Sequence, residues 1–271
     1  MISIAKFLSE LFNLFDILLR GENEKMNDEQ KISVAEAVRF VISKNQSLIE
    51  CLSEGLVNYT WLAERIADEV ARISGRKRVN LDAIKAALIR YEEELKKEKS
   101  ALMKSVGKVL AKSTLELQND IVVLTVKKYT VERKLNEILE AASRSRFFNF
   151  TQGKKSYTFV ISEEDEGAIE KMMEKDDVLD KVEKQSALIM ISPYDIMFTP
   201  GVVNFLTRLM YLSNINITQI MSCYTDTILI INKDDSVKAF KLLQDVIEQQ
   251  RSIEGNQSLG SETESTKNGK L

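Results

Sequence analysis

Apolar residues recur at spacings of three and four in the first part of the chain, and in short continuous or alternating runs later on. Val34, Val38, Val41 and Ile42 make one helical stripe, and Leu62, Ile66, Val70 and Ile73 make another. Asn58 or Thr60 is placed to cap the second helix, and Gly75 to end it. A further helix is expected from Asn80 or Asp82, with Leu81, Ile84, Leu88, Tyr91, Leu95, Leu102, Val106 and Val109 along it. That stripe is heptad-like, although Glu98 and Ser105 interrupt it. If continuous to Lys112, the helix would run roughly 48 Å at 1.5 Å per residue. It reads as a connector and a candidate dimerising seam.

Between about 115 and 248 the pattern alternates strand and helix, and it does so twice. The first copy has strand-like Ile121 to Val126, a helix carrying Val131, Leu135 and Ile138, strands at Phe147 to Phe150 and Tyr157 to Ile161, and a helix at Ala168 to Met173. The second has Ala187 to Ile191, a helix carrying Val202, Leu206 and Met210, strands at Ile215 to Met221 and Thr227 to Ile231, and a last helix at Val237 to Leu243. Val178 to Val182 adds a candidate fourth strand to the first copy. Aligning Thr130 with Thr199 brings Ser162 within one residue of Asn232, at matching strand-to-helix corners. The expected fold class is α+β: a helical N-terminal domain plus two ferredoxin-like βαββαβ units, each an antiparallel sheet with helices on one face.

The two ends differ from this pattern. Ile4, Phe7, Leu8, Leu11, Phe15 and Leu18 fall at helical spacing, but Lys6, Glu10 and Asp16 break the run, so nothing there spans a bilayer. Residues 1–25 are expected to form an amphipathic helix docked on the protein or on a second copy. If translation starts at Met26, they are a leader that is not made. Residues 250–271, rich in Ser, Gly, Glu and Asn, read as a disordered tail.

Composition narrows the chemistry. Histidine is absent, which removes the commonest general base and imidazole metal ligation. The two cysteines, Cys51 and Cys223, provide neither a zinc site nor a CxxC motif, and they suit a reducing cytoplasm. No catalytic residue, metal or cofactor is assigned, and the chain is expected not to be an enzyme. The net charge of −3 gives no general attraction to nucleic acid.

Both prolines of the chain lie in one loop, Ser192-Pro193-Tyr194-Asp195-Ile196-Met197-Phe198-Thr199-Pro200-Gly201. Thr199 is placed to cap the following helix, Pro200 to sit in its first turn, and Gly201 to let another group approach the backbone. Free amides at a helix N-terminus suit a carboxylate.

Phe198-Thr199-Pro200-Gly201-Val202-Val203, then Tyr211-Leu212-Ser213-Asn214-Ile215-Asn216-Ile217 and Ser222 to Thr227, resemble the ACT domain of aspartate kinase regulatory regions. The resemblance covers 187–248. In the first copy it is one of layout, with Thr130-Val131-Glu132-Arg133 where the TPG turn would stand. Asn214 replaces a usual glycine, and asparagine tolerates the left-handed conformation. The resemblance implies allosteric regulation by an amino acid or similar small effector, held between the loop of one unit and the second strand of its neighbour. The implied ligand-binding residues are Asp195, Met197, Phe198, Thr199, Gly201 and Val202 in the loop, with Asn216, Ile217, Thr218 and Gln219 on the strand. The chain ahead of this module is too short for a kinase domain, and it carries no Gly-rich phosphate loop.

The expected organisation is therefore 31–112 as a helical, helix-turn-helix-like domain with its connector, 115–185 as a degenerate ACT-like copy, and 186–249 as the ACT domain. The expected function is non-catalytic sensing by a cytoplasmic homodimer. Two other outputs stay open. One is a DNA-binding regulator contacting phosphates through Arg76, Lys77, Arg78, Lys85 and Arg90, although residues 31–95 hold ten Lys/Arg against ten Asp/Glu. The other is a regulatory subunit of a biosynthetic enzyme or a ligand-free structural homodimer.

Overall fold

The computed structural model describes residues 32–267. The helix or leader expected at 1–25 lies outside the described residues. The chain divides into two compact units, the first ending at Ser100 and the second beginning at Ala101, and the fold is α+β.

The first unit is helical: α1 (Val34–Ser43), α2 (Gln46–Glu54), α3 (Tyr59–Ile73) and the start of α4 (Leu81–Ala111). Each boundary has a side-chain cause. Ser33 and Glu36 form a reciprocal capping box on α1, Asn45 caps α2, and Asn58 caps α3. Gly75, at φ 67°, ends α3, and the Arg76 amide reaches back to the Ala71 carbonyl. The expected stripes meet in one core of Val38, Val41, Ile42, Leu52, Leu62, Ile66, Val70, Ile84, Leu88 and Tyr91. An Arg39–Glu94 ion pair ties α1 to α4.

The second unit holds one six-stranded antiparallel sheet, ordered β2-β3-β1-β4-β6-β5. Its elements are β1 (Thr114–Lys127), α5 (Lys128–Ala142), β2 (Phe148–Gln152), β3 (Ser156–Ser162), α6 (Glu163–Glu170), β4 (Val178–Ile191), a 3₁₀ turn at Tyr194–Phe198, α7 (Val202–Leu212), β5 (Ile217–Cys223), β6 (Asp226–Asn232) and α8 (Ser236–Lys267). The two copies thus share a sheet, because β1 and β4 are each long enough to serve both. The strands expected at 178–182 and 187–191 are one strand.

The duplication is visible in the bulges. Asp120 and Lys184 carry positive φ, 60° and 54°. The residue after each pairs with the corner residue of its own copy: Ile121 with Ser162, and Gln185 with Asn232. The register shift between Gln118 and Ile121, which contains Asp120, changes the alternation of β1, and the next shift, opposite Lys184, bulges β4. Leu115 and Leu117 before the bulge, and Leu124 and Val126 after it, therefore all point toward covering helices. One cluster joins α4, α7 and α8 to β4 and β6 through Val106, Leu110, Leu188, Leu206, Leu229 and Leu243. Another joins α5 and α6 to β1 and β3 through Val131, Ile138, Phe159 and Ile169. The opposite face carries Ile121, Val123, Val160, Ala187, Ile189, Ile228 and Ile230.

Two expectations change. The α4 stripe is not a free seam: Ile84, Leu88 and Tyr91 are used in the helical core, and Val106 and Val109 in the sheet core. The stretch from 250 continues α8 to Lys267 and is not irregular over its described part. No proline interrupts it, so the helix can propagate. In keeping with the degenerate first copy, Thr130 stands in no TPG-like turn. It is buried inside α5, because β1 runs from Lys127 straight into a helix at Lys128.

Candidate ligand-binding loop

The proline-bracketed loop joins β4 to α7. Its first residue is fixed by the Ser192 amide, which donates to the Thr225 carbonyl in the β5–β6 turn at 3.1 Å. Pro193 opens a single 3₁₀ turn through Phe198. Here the structure departs from the expected cap. The Thr199 hydroxyl turns back to the Asp195 carbonyl at 2.8 Å. The N-cap of α7 is Gly201 at φ 93°, and no side chain caps the helix. That φ favours glycine, since a Cβ there is strained. The first-turn amides of α7 thus begin beside a backbone with no side chain of its own.

Around this corner the side chains are apolar and outward. Tyr194 meets Phe198 edge-on at 5.5 Å between ring centroids, and Tyr224 lies 5.9 Å from Tyr194. Phe198 is 72% exposed and Met197 52%. Asp195 is an exposed carboxylate on the same turn. Val202 is buried in the sheet core. Thr227, at the start of β6, is 1% exposed and its hydroxyl has no partner among the described residues. It shares the face of β6 with Leu229 and Ile231, the face that α7 covers. An unpartnered buried hydroxyl is costly, which makes Thr227 a candidate site residue. It stands within the motif string, but nothing in the sequence shows that its hydroxyl is buried. Tyr194 and Tyr224 also join only in three dimensions.

The strand candidates lie elsewhere. Asn216 precedes β5, whereas the loop backs onto Tyr224 beyond its other end. Seven extended residues separate them by roughly 20 Å. Thr218 is occupied, its hydroxyl donating to Gln185 Oε1 at 2.7 Å. Ile217 packs against the sheet core. Asn216 is exposed, and Gln219 is partly so. One chain therefore does not gather the loop and the strand residues. β5 is, however, the last strand of the sheet, so its outer edge has no strand beside it among the described residues. A pocket of about 200 Å³ in this unit is lined by Ser113, Thr114, Leu115, Gln244, Ile247 and Arg251, none of them in the loop. Asn214 has φ 55°, the left-handed conformation expected where the pattern has glycine.

The cationic candidates lie at the turn between α3 and α4. Arg76, Lys77 and Arg78 are exposed and have no partner among the described residues. Lys85 is paired with Asp82 at 3.3 Å, and Arg90 donates to the Ala86 carbonyl. No group of acidic or sulfur ligands fit to hold a metal occurs among the described residues. No helix among them is long and apolar enough to cross a membrane.

No curated protein matches the chain. Among solved structures it is similar to an aspartate kinase from Clostridium acetobutylicum, at 19% identity and TM-score 0.40, over 49% of this chain and 34% of that one. It therefore spans about a third of that enzyme. It is also similar to the ligand-free regulatory subunit of aspartate kinase from Thermus thermophilus, at 11% identity and TM-score 0.41, over 49% and 95% of the two chains. A protein of unknown function from Vibrio cholerae is similar at 13% identity and TM-score 0.39, over 54% and 98%. The family model for the ACT domain matches residues 181–245, and so identifies the second βαββα copy as an ACT domain.

Proposed function

We propose that the chain is a non-catalytic regulator whose ACT domain senses an amino acid or a similar small carboxylate. The observation that carries this reading is the uncapped start of α7 behind Gly201, which leaves first-turn amides for an anionic group. Asp195 would take the ammonium of the same ligand. Asn216 and Gln219 would complete the site from a second copy paired along the β5 edge, because a two-fold partner brings its strand start to this chain's loop.

A thermal-shift screen of the twenty amino acids tests this reading. A ligand present at 100 times its dissociation constant adds about 2.7 kcal/mol of stability. The proposal requires a clear rise in melting temperature with at least one of them. If no amino acid raises it, the amino-acid reading is wrong, and the same screen with small carboxylates decides the rest of the proposal.

A second reading, an output on nucleic acid, is favoured by the unpartnered Arg76, Lys77 and Arg78. Duplex binding that weakens steeply with salt, and weakens further on replacing all three by alanine, would support it. Binding unaffected by those replacements would remove it.

A further inference from the structure

We infer that α4 is the element that reads the state of the loop, and that Leu102 and Ser113 are its positioning residues. The inference rests on the reading of the loop as a ligand site for its purpose, but not for its geometry. One end of the loop lies against this helix, and the other against Ser113, just past its C-terminus. At the far end, the Leu102 side chain lies 3.5–3.6 Å from where a Cβ on Gly201 would stand. At the near end, the Ser113 and Ser192 hydroxyls are 3.0 Å apart in buried surroundings. Between these points Val106, Val109 and Leu110 share a core with Val202 and Leu206 of α7.

The C-terminal end of α4 is held separately. Arg251 of α8 donates to the Ala111 carbonyl at 2.8 Å and to the Ser113 carbonyl at 2.7 Å. The Ala111 carbonyl is one that the helix end leaves unpaired, and the Ser113 carbonyl lies just beyond it. With that end pinned, a shift of the loop at Gly201 falls on α4 at Leu102, about three turns away. Leu102 is 39% exposed, so it serves contact with the loop more than core stability. From Ala101 the same helix continues unbroken back to Leu81 in the first unit. The loop therefore packs on the helix whose earlier residues belong to the first unit.

Amide hydrogen exchange on the full chain, without ligand, tests this in both directions. Leu102→Ala should speed exchange across 194–203 by roughly tenfold, with Leu102→Met restoring the original rates. Pro200→Ala, which loosens the loop, should speed exchange across 101–106 while leaving β6 unchanged. A mutual effect of this kind is what coupling demands. Pro200→Ala with no change in 101–106, or Leu102→Ala with no change in the loop, overturns the inference. No amino acid enters the measurement, so an unsuccessful ligand screen and an unsuccessful coupling test remain distinct results.

Discussion

Gly201 is required by its backbone rather than by space. Its φ of 93° shapes the start of α7, whereas a Cβ there would meet Leu102 only at ordinary van der Waals distance. Gly201→Ala should cost about 1–2 kcal/mol through the left-handed conformation alone. A thermal melt should show that loss, and any amino-acid-induced shift should shrink with it. Asn214→Gly, at φ 55°, should leave the melt nearly unchanged, because glycine accepts that conformation freely. In the helical unit, Lys96 and then the Tyr59 hydroxyl hold the Glu92 carboxyl below its usual value. Since the folded-state value is the depressed one, this contribution is complete above the ordinary carboxylate range. It is lost as pH falls through the lowered value. Stability measured from neutral to acid pH should therefore decline, and Glu92→Gln should flatten the acid limb of the curve.

At the scale of elements, the caps and cores carry separable energies. Asn58→Ala removes the acceptor for the Trp61 amide and should cost about 1 kcal/mol in chemical denaturation. Leu110→Ala, fully buried among α4, α7, α8 and the sheet, should cost about 2–5 kcal/mol. Much of this level is legible in the sequence, because local rules set it. Asn58, Gly75 and Asn80 mark helix ends by their own hydrogen bonds and dihedrals. The two strand-helix copies follow from runs of Ile, Val and Leu. What the sequence does not display is the joining of the copies. Asn119-Asp120 and Glu183-Lys184 are polar pairs that read as loop residues. They are bulges within long strands, and only the β1–β4 pairing shows it. The cap at Thr199 is misread for a related reason. Its hydroxyl has two acceptable orientations, and the 3₁₀ turn before it supplies a carbonyl at the shorter reach. The α4 stripe looks like a seam because burial in two successive cores leaves the same spacing as a coiled coil.

At the scale of the whole molecule, the proposed site needs two chains. Edge strands that remain unprotected invite pairing. Ile220 is a half-exposed residue of β5. Ile220→Lys should leave the monomer's melting temperature within about 0.5 kcal/mol equivalent, as surface substitutions do. Light scattering should show it shifting a dimer toward single chains, and amino-acid binding should fall in parallel. An unchanged mass would mean that copies do not meet along this edge. The asymmetry between the two repeats then sets a stoichiometry. The first repeat passes from Lys127 straight into α5, which kinks at Lys134, and it lacks the proline-bracketed corner on which the proposed site is built. A titration should saturate at one equivalent per polypeptide, and the response of a two-chain assembly cannot be steeper than a Hill coefficient of two.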